Sequence, residues 1–514
     1  MSTMADRDSN NPIPPALQSR NPLRWLTIFG PGAVIASLTI GSGELIFSSR
    51  GGALFGYRLL WFFLLVLLLK WVLVYVTARH MVLTGAHPFQ RWMELPGPRG
   101  WLPLVFLLLA ATCFPIWVAF HSGTVGTLLS WVAGTEHSLR GAAHFAWGLA
   151  VLVVVLAIAF RGGYAALERI QLVIVILMLV CVTVSLFMVH PDWIEFLKGF
   201  LLPRSFSYPD WISSQREFTS RPVWLETITY VGVIGGSGYD YLAYVSYLRD
   251  KHWGRAGASI ATEPDLATMA GRRNDPNRQW LRAVLIDSAL SFFAVLVFMG
   301  VFVACGVTVL GPQHKIPGGS NLLALQSTFM SPDYPWLVQV YFIGAFLTIF
   351  GTLYGTIEVA PAILREIAFA FDPAASTNHA RCLRLVSVTW VGLGGFLVLL
   401  ASLFVSIFTG RQEPPGLIAI LTPANLFTGV MACGLICWLS AWTDSRFLPK
   451  GLQIGNTLRV LNLSAGAIFL ALGIKGYWDH SGPTALLILL ATLALGWIAA
   501  QVWQRIGNRT GTSS

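Results

Sequence analysis

Charge is what this chain has least of: 11% of its 514 residues are Asp, Glu, Lys or Arg, where soluble domains carry about a quarter. So little charge cannot cover a surface facing water. With 55% hydrophobic residues and a mean hydropathy of +0.65, the composition excludes an ordinary soluble enzyme or binding module. Cysteine is scarce as well. The six (Cys113, Cys181, Cys305, Cys382, Cys433, Cys437) lie in or beside apolar runs, which gives neither a disulfide framework nor a zinc pattern. Cys433 and Cys437 share a helix face at i, i+4, but two thiols make a poor metal site, and free Cys packs as a small hydrophobe. Clustered basic residues are lacking too. Lys and Arg are scattered among short loops, so the net charge of +10 gives no support for nucleic acid; it fits membrane orientation and anionic inner-leaflet lipid. Residues 1–22 show no charged-then-apolar signal sequence and no small-residue cleavage pattern, so the first helix is expected to act as an uncleaved insertion signal. No constellation of nucleophile, base and metal ligands stands out, no enzyme activity or cofactor is expected, and no appended soluble domain is visible.

Long apolar runs are what the chain does have. A hydrocarbon core of about 30 Å needs roughly 20 apolar residues in a helix, and the sequence offers such stretches at 28–54, 58–80, 101–126, 144–160, 165–189, 224–247, 281–310, 335–363, 384–409, 415–441, 458–474 and 483–504. The expectation is an all-α polytopic protein with about twelve spans. An even number places both termini on one side. Lys and Arg concentrate on alternate loops, above all between Arg249 and Arg282, where Lys251, Arg255, Arg272, Arg273 and Arg278 also lie; the positive-inside rule makes that side cytoplasmic. This divides the chain into a cytoplasmic arm (1–27), spans one to five (28–189), an outer loop (190–223), spans six to ten (224–441) and two further spans with a tail (442–514). The outer loop is rich in aromatics and Pro and suits a lid, while Lys251 to Asn277 reads as polar and partly disordered.

Two of these spans are interrupted by the same tripeptide, Gly41-Ser42-Gly43 and Gly236-Ser237-Gly238, and a carboxylate follows each at Glu44 and Asp240. In a bilayer, irregular backbone survives only where it is buried in protein or lines a polar cavity. Paired breaks in two halves of a chain are the mark of an inverted-repeat secondary transporter, with its substrate between unwound helices near the midplane. Glu44, Asp240, the hydroxyls of Ser42 and Ser237 and the backbone around Gly41, Gly238 and Tyr239 would offer a cation oxygen ligands of the hard class. Capping explains the same residues. Ser237 and Asp240 have capping-box spacing, and Glu44 sits where a helix dipole favours an anion.

The run Gly30-Pro31-Gly32-Ala33-Val34-Ile35-Ala36-Ser37, followed by Gly51-Gly52-Ala53-Leu54-Phe55-Gly56-Tyr57-Arg58-Leu59-Leu60-Trp61, resembles the start of an Nramp-type divalent metal transporter, as does Thr443-Asp444-Ser445-Arg446 after the tenth span. The resemblance implies a leucine-transporter-like fold with spans one to five and six to ten as inverted repeats and broken helices one and six. The chain departs from the family at both breaks: Asp-Pro-Gly-Asn becomes Gly41-Ser42-Gly43-Glu44, and Met-Pro-His-Asn gives way to Gly236 through Tyr241. The aspartate, asparagine and methionine that hold a transition metal in the family are missing.

Lys70 falls in the middle of the second span, more than 10 Å from its inner end at about 1.5 Å per residue, and a carboxylate partner is expected among Glu44, Asp287 and Glu358. Lys70 either stands in for a coupling ion or locks two helices in a fixed ion pair. Asp287 and Glu358, deep in spans seven and eight, are charge-network candidates because intramembrane acids are functional by default. Span three holds His121 and no acid, which leaves the proton coupling that the resemblance implies without its carboxylates. Gly351-Thr352 and Gly355-Thr356 mark a close helix-packing face. The function expected is alternating-access transport of a cation, magnesium or manganese, with Glu44 and Asp240 as its anionic ligands and a proton or ion as possible coupling partner. The alternatives are transport of an amino acid or amine in a pocket walled by Tyr239, Tyr241 and Tyr244, and a non-transporting sensor.

Overall fold

Apolar segments too long and too evenly greasy for an amphipathic stripe fold as helices that suit either a protein core or lipid, and the computed structural model contains both kinds, some largely buried by their neighbours and others with apolar side chains facing outward. It describes residues 12–214, 222–316, 335–409 and 425–510, in which there is helix and loop and no strand. We number the longer helices α1 (Pro31–Thr39), α2 (Ser42–Phe55), α3 (Leu60–Thr84), α4 (Trp101–Val132), α5 (Ala143–Arg161), α6 (Tyr164–Val189), α7 (Val223–Val233), α8 (Gly238–Lys251), α9 (Leu281–Cys305), α10 (Pro335–Phe371), α11 (Ala380–Thr409), α12 (Ala432–Phe447) and α13 (Asn456–Thr510). Among the described residues, ten stretches are long and apolar enough to cross a membrane. The twelve expected spans are reconciled with that number by two features: Gly43–Thr84 carries the second half of span one and all of span two, and span six exists only as the short halves α7 and α8. Gly482, with φ 59°, and Pro483 kink α13 between the last two spans. Residues 415–424 of the expected tenth span lie outside the described residues.

Helix α4 packs against α5, α10, α11 and α13 and forms the centre of the scaffold, while α1 lies among α6, α8, α9 and α10. The glycines of α10 set that last contact. A Cβ on Gly351 would come within 2.5 Å of Ser37 Oγ, and one on Gly355 within 2.7 Å of Leu38 Cδ1, so the small residues form the close packing face expected. The aromatic loop after α6 folds over the α2–α3 turn: Phe206 stacks on Trp61 at 5.8 Å and Tyr208 on Phe55 at 5.6 Å.

The segment after α8 corrects one expectation. Lys251 to Asn277 is ordered, with a helix at Glu263–Gly271 capped by Thr262. Its Leu266 and Met269 are buried with Leu83, Leu448 and Leu452, and its backbone hooks onto the end of α3 through Arg255 N to Val82 O (2.9 Å) and Ala261 N to Thr84 O (2.8 Å). Two apolar side chains one helical turn apart are enough to anchor a polar segment once a greasy surface lies beneath it.

Candidate functional site

Both Gly-Ser-Gly tripeptides interrupt their helices, and the interruptions meet. The chain leaves α1 at Ile40 and Gly41 and re-enters helix at Ser42; it leaves α7 at Ile234 and resumes at Gly238. Gly235 and Gly236 have φ of 80° and 92°, a region closed to ordinary side chains. Space forbids them as well, since a Cβ on Gly236 would lie 2.3 Å from Thr39 Cγ2 and one on Gly43 2.1 Å from Val233 Cγ1. The second break is wider than the tripeptide suggests, running from Ile234 to Ser237.

Glu44 joins the two. One carboxylate oxygen accepts from Gly41 N (3.2 Å) at the head of its own helix, and the other accepts from Gly235 N (2.8 Å) in the opposite break. Asp240 accepts from Ser237 N at 2.6 Å. In this conformation both acids close the N-terminal ends of new half-helices, where unpaired N–H groups and the helix dipole favour an anion. Gly238 opens α8 and Tyr239 follows it, the Tyr239 hydroxyl donating to Phe106 O at 2.7 Å within a cluster of Phe106, Phe114 and Trp117. Ser42 opens α2; its side chain lies outside the described residues.

The freed carbonyls are also taken. Lys70 Nζ, fully buried, donates to Ile234 O (2.6 Å) and Gly236 O (2.8 Å), and the Tyr241 hydroxyl donates to Gly235 O. Thr352 Oγ1 of α10 lies 3.3 Å from Ile40 O and 3.4 Å from Ser37 O at the first break. Thus Lys70 meets backbone carbonyls where a carboxylate partner was expected, and among the described residues no ion pair is formed by it. The two other candidate acids are engaged elsewhere. Asp287 accepts from Gly30 N (2.9 Å), Gly32 N (2.7 Å) and the Tyr244 hydroxyl (2.9 Å), holding the start of α1. Glu358 forms a two-pronged pair with Arg384 of α11 at 2.6 and 2.7 Å.

Three groups escaped the sequence reading. Arg50 of α2 pairs with Glu226 of α7 at 2.5 Å, with the Tyr230 hydroxyl on the same carboxylate at 2.9 Å; charge inside an apolar run, the signal that singled out Lys70, marks both. Gln171 of α6 links α1 to α10, taking a hydrogen bond from Ser37 Oγ and donating to Gly351 O at 2.9 Å. At the end of α8, Arg249 grips Glu366 at 2.9 and 3.0 Å, Asp250 pairs with Arg365 at 2.7 Å and Lys251 with Glu168 at 2.8 Å. These pairs tie α8 to α6 and α10. Among the described residues no three His, Cys, Asp or Glu side chains converge as a metal cluster, so any ion held between the breaks would need backbone oxygens as well as the two acids.

Two short half-helix pairs that abut at unwound, acid-capped backbone inside an all-helical scaffold define a membrane transporter of the leucine-transporter architecture. The fold recurs at TM-score 0.65 in the manganese transporter of Eremococcus coleocola, solved with an aromatic bis-isothiourea compound, at 14% identity and covering 99% of each chain. It recurs at TM-score 0.51 in MhsT in complex with L-phenylalanine, at 14% identity over 87% of this chain and 98% of that one. Residues 32–366 match the family described as natural resistance-associated macrophage protein-like, and the chain belongs to this Nramp family of transporters. Two relatives carry the name divalent metal cation transporter MntH: that of Levilactobacillus brevis is 27% identical over 34% of this chain, and that of Listeria innocua 22% identical over 65%. The matched stretch spans 38% of the length of the first relative and 68% of the second.

Proposed function

We propose that this protein is a secondary transporter that carries a divalent cation of the hard class, magnesium or manganese, across the cell's inner membrane by alternating access. Family membership and the names of its relatives favour a divalent metal as cargo. The observation that carries the choice of ion is the donor set at the joined breaks: carboxylates of Glu44 and Asp240 and the backbone oxygens of Ile234 to Ser237, with no thioether in either broken helix. Oxygen donors select hard ions, whereas sulfur would favour softer transition metals. Carbonyls and caps satisfied internally in this conformation exchange their partners for the ion when it enters. An amino acid or amine as cargo has less support, because the hydroxyls of Tyr239, Tyr241 and Tyr244 are spent on Phe106 O, Gly235 O and Asp287.

The test is uptake by purified protein in liposomes. Magnesium and manganese should enter saturably and should compete well with iron and cadmium. Glu44→Gln and Asp240→Asn should each remove most uptake while leaving folded protein; residues that act only as caps would instead leave uptake whole and lower stability by about 1 kcal/mol. Saturable uptake of an amino acid without metal flux would overturn the proposal.

A further inference from the structure

Lys70 occupies a position that chemistry would assign to a free ion. Its ammonium is held by two carbonyls of one unwound segment, Ile234 O at 2.6 Å and Gly236 O at 2.8 Å, and in the same segment Gly235 and Ser237 present their N–H groups to Glu44 and Asp240. Carbonyl oxygens freed by a helix break with carboxylates beside them are the donor set of a hard cation. The lysine arrives from a different helix, α3, with its stem along Gly235, where a Cβ would be 3.4 Å from Lys70 Cδ. Counting Glu44, Asp240 and Lys70 as charged, the joined breaks carry one net negative charge. A divalent ion added beside the lysine would reverse that sign in a buried site, a costly state. The same ion in place of the ammonium would leave the site neutral.

We propose that Lys70 is a tethered cation filling a cation seat built by the carbonyls of Ile234 and Gly236, and that the transported ion enters by displacing it. This rests on the reading of the joined breaks as the cargo site. Removing the tethered charge should therefore leave a seat that a small free cation, which the wild type has no room for, can fill.

The experiment compares wild type, Lys70→Ala and Lys70→Gln as purified full-length protein, melted in sodium, potassium or N-methylglucamine chloride at equal ionic strength. Lys70→Ala should be rescued by sodium or potassium, its melting temperature rising by about 2 °C or more over N-methylglucamine. Wild type should not respond. Lys70→Gln, whose amide can donate to the carbonyls without charge, should fold and show no response either. If the carbonyls need only a hydrogen-bond donor, Lys70→Ala will be equally unstable in all three salts, and the proposal fails; it fails also if Lys70→Ala does not fold in sodium or potassium, or if wild type is itself stabilised by them. Melting requires no transport, so this outcome is read separately from divalent flux in wild-type liposomes, whose absence would remove the cargo assignment instead.

Discussion

At Gly236 two independent constraints fall on one residue, a left-handed φ of 92° and a neighbour, Thr39 Cγ2, where a side chain would begin. Gly236→Ala should cost about 2 kcal/mol or more, from the backbone penalty together with overpacking, visible as a lower melting temperature. Gly271→Ala, at the exposed end of the helix Glu263–Gly271, is the matched control. Nothing lies within 4 Å of a Cβ there, so its stability should stay within about 0.5 kcal/mol of wild type. Equal losses in the two variants would show that the second break is not held by local geometry. Glu44 illustrates how one residue serves both halves: the carboxylate that caps α2 also fixes the opposite break, so the two half-helix pairs cannot separate without exposing Gly235 N.

Between elements, Arg50 and Glu226 tie the two broken helices together as a buried ion pair, their side chains 8% and 1% exposed. Breaking a buried pair leaves the surviving charge without compensation and typically costs about 3–5 kcal/mol, whereas neutralising both partners is far cheaper. Arg50→Met alone should destabilise the protein by roughly that amount. The double variant Arg50→Met/Glu226→Gln, which keeps an acceptor for Tyr230, should recover most of the loss in a double-mutant cycle. Additive losses would argue that the pair is not the tie. The helix at Glu263–Gly271 depends on fewer contacts, chiefly Leu266 and Met269. Leu266→Ala, removing a buried side chain at about 2–5 kcal/mol, should speed hydrogen exchange of amides 265–271 while amides of α4 keep their protection.

Over the whole molecule, one end of α8 is closed by charge. Lys251 reaches Glu168 beside the start of α1, and the pairs Arg249–Glu366 and Asp250–Arg365 join α8 to α10. Under the alternating access proposed above, these contacts have to break for that side to open. Glu366, wholly buried and gripped from two sides by Arg249 and by Ser246, is the point to test. Glu366→Gln should shift the population towards opening at this end, with labelling of Val34→Cys accelerating about tenfold for each 1.4 kcal/mol lost. The measurement uses a background in which Cys382, an exposed native thiol, is replaced by Ser. An unchanged labelling rate would mean that these pairs hold the fold and not the closed state.

The sequence by itself determined the class of protein, the helical spans and the two breaks. Hydropathy is a local property, and a bilayer or a buried core rewards the same uninterrupted run of apolar residues; the breaks were legible because the same Gly-Ser-Gly, followed by a carboxylate, interrupts two such runs, although only the second break uses glycine for a positive φ, at Gly235 and Gly236, while Gly41 is extended. The capping role of Ser237 and Asp240 followed from spacing within one turn. Who pairs with whom across helices was decided only by the tertiary structure. Lys70 finds Ile234 and Gly236, and Glu358 finds Arg384, because of how separate helices lie side by side. Backbone carbonyls are present at every residue and carry no mark in the sequence, so a sequence points only to side chains as partners of a buried lysine. The order of Lys251 to Asn277 was hidden for a related reason: its polar composition is visible, but the apolar surface made by Leu83, Leu448 and Leu452, which gives Leu266 and Met269 something to bury against, exists only once distant segments have come together.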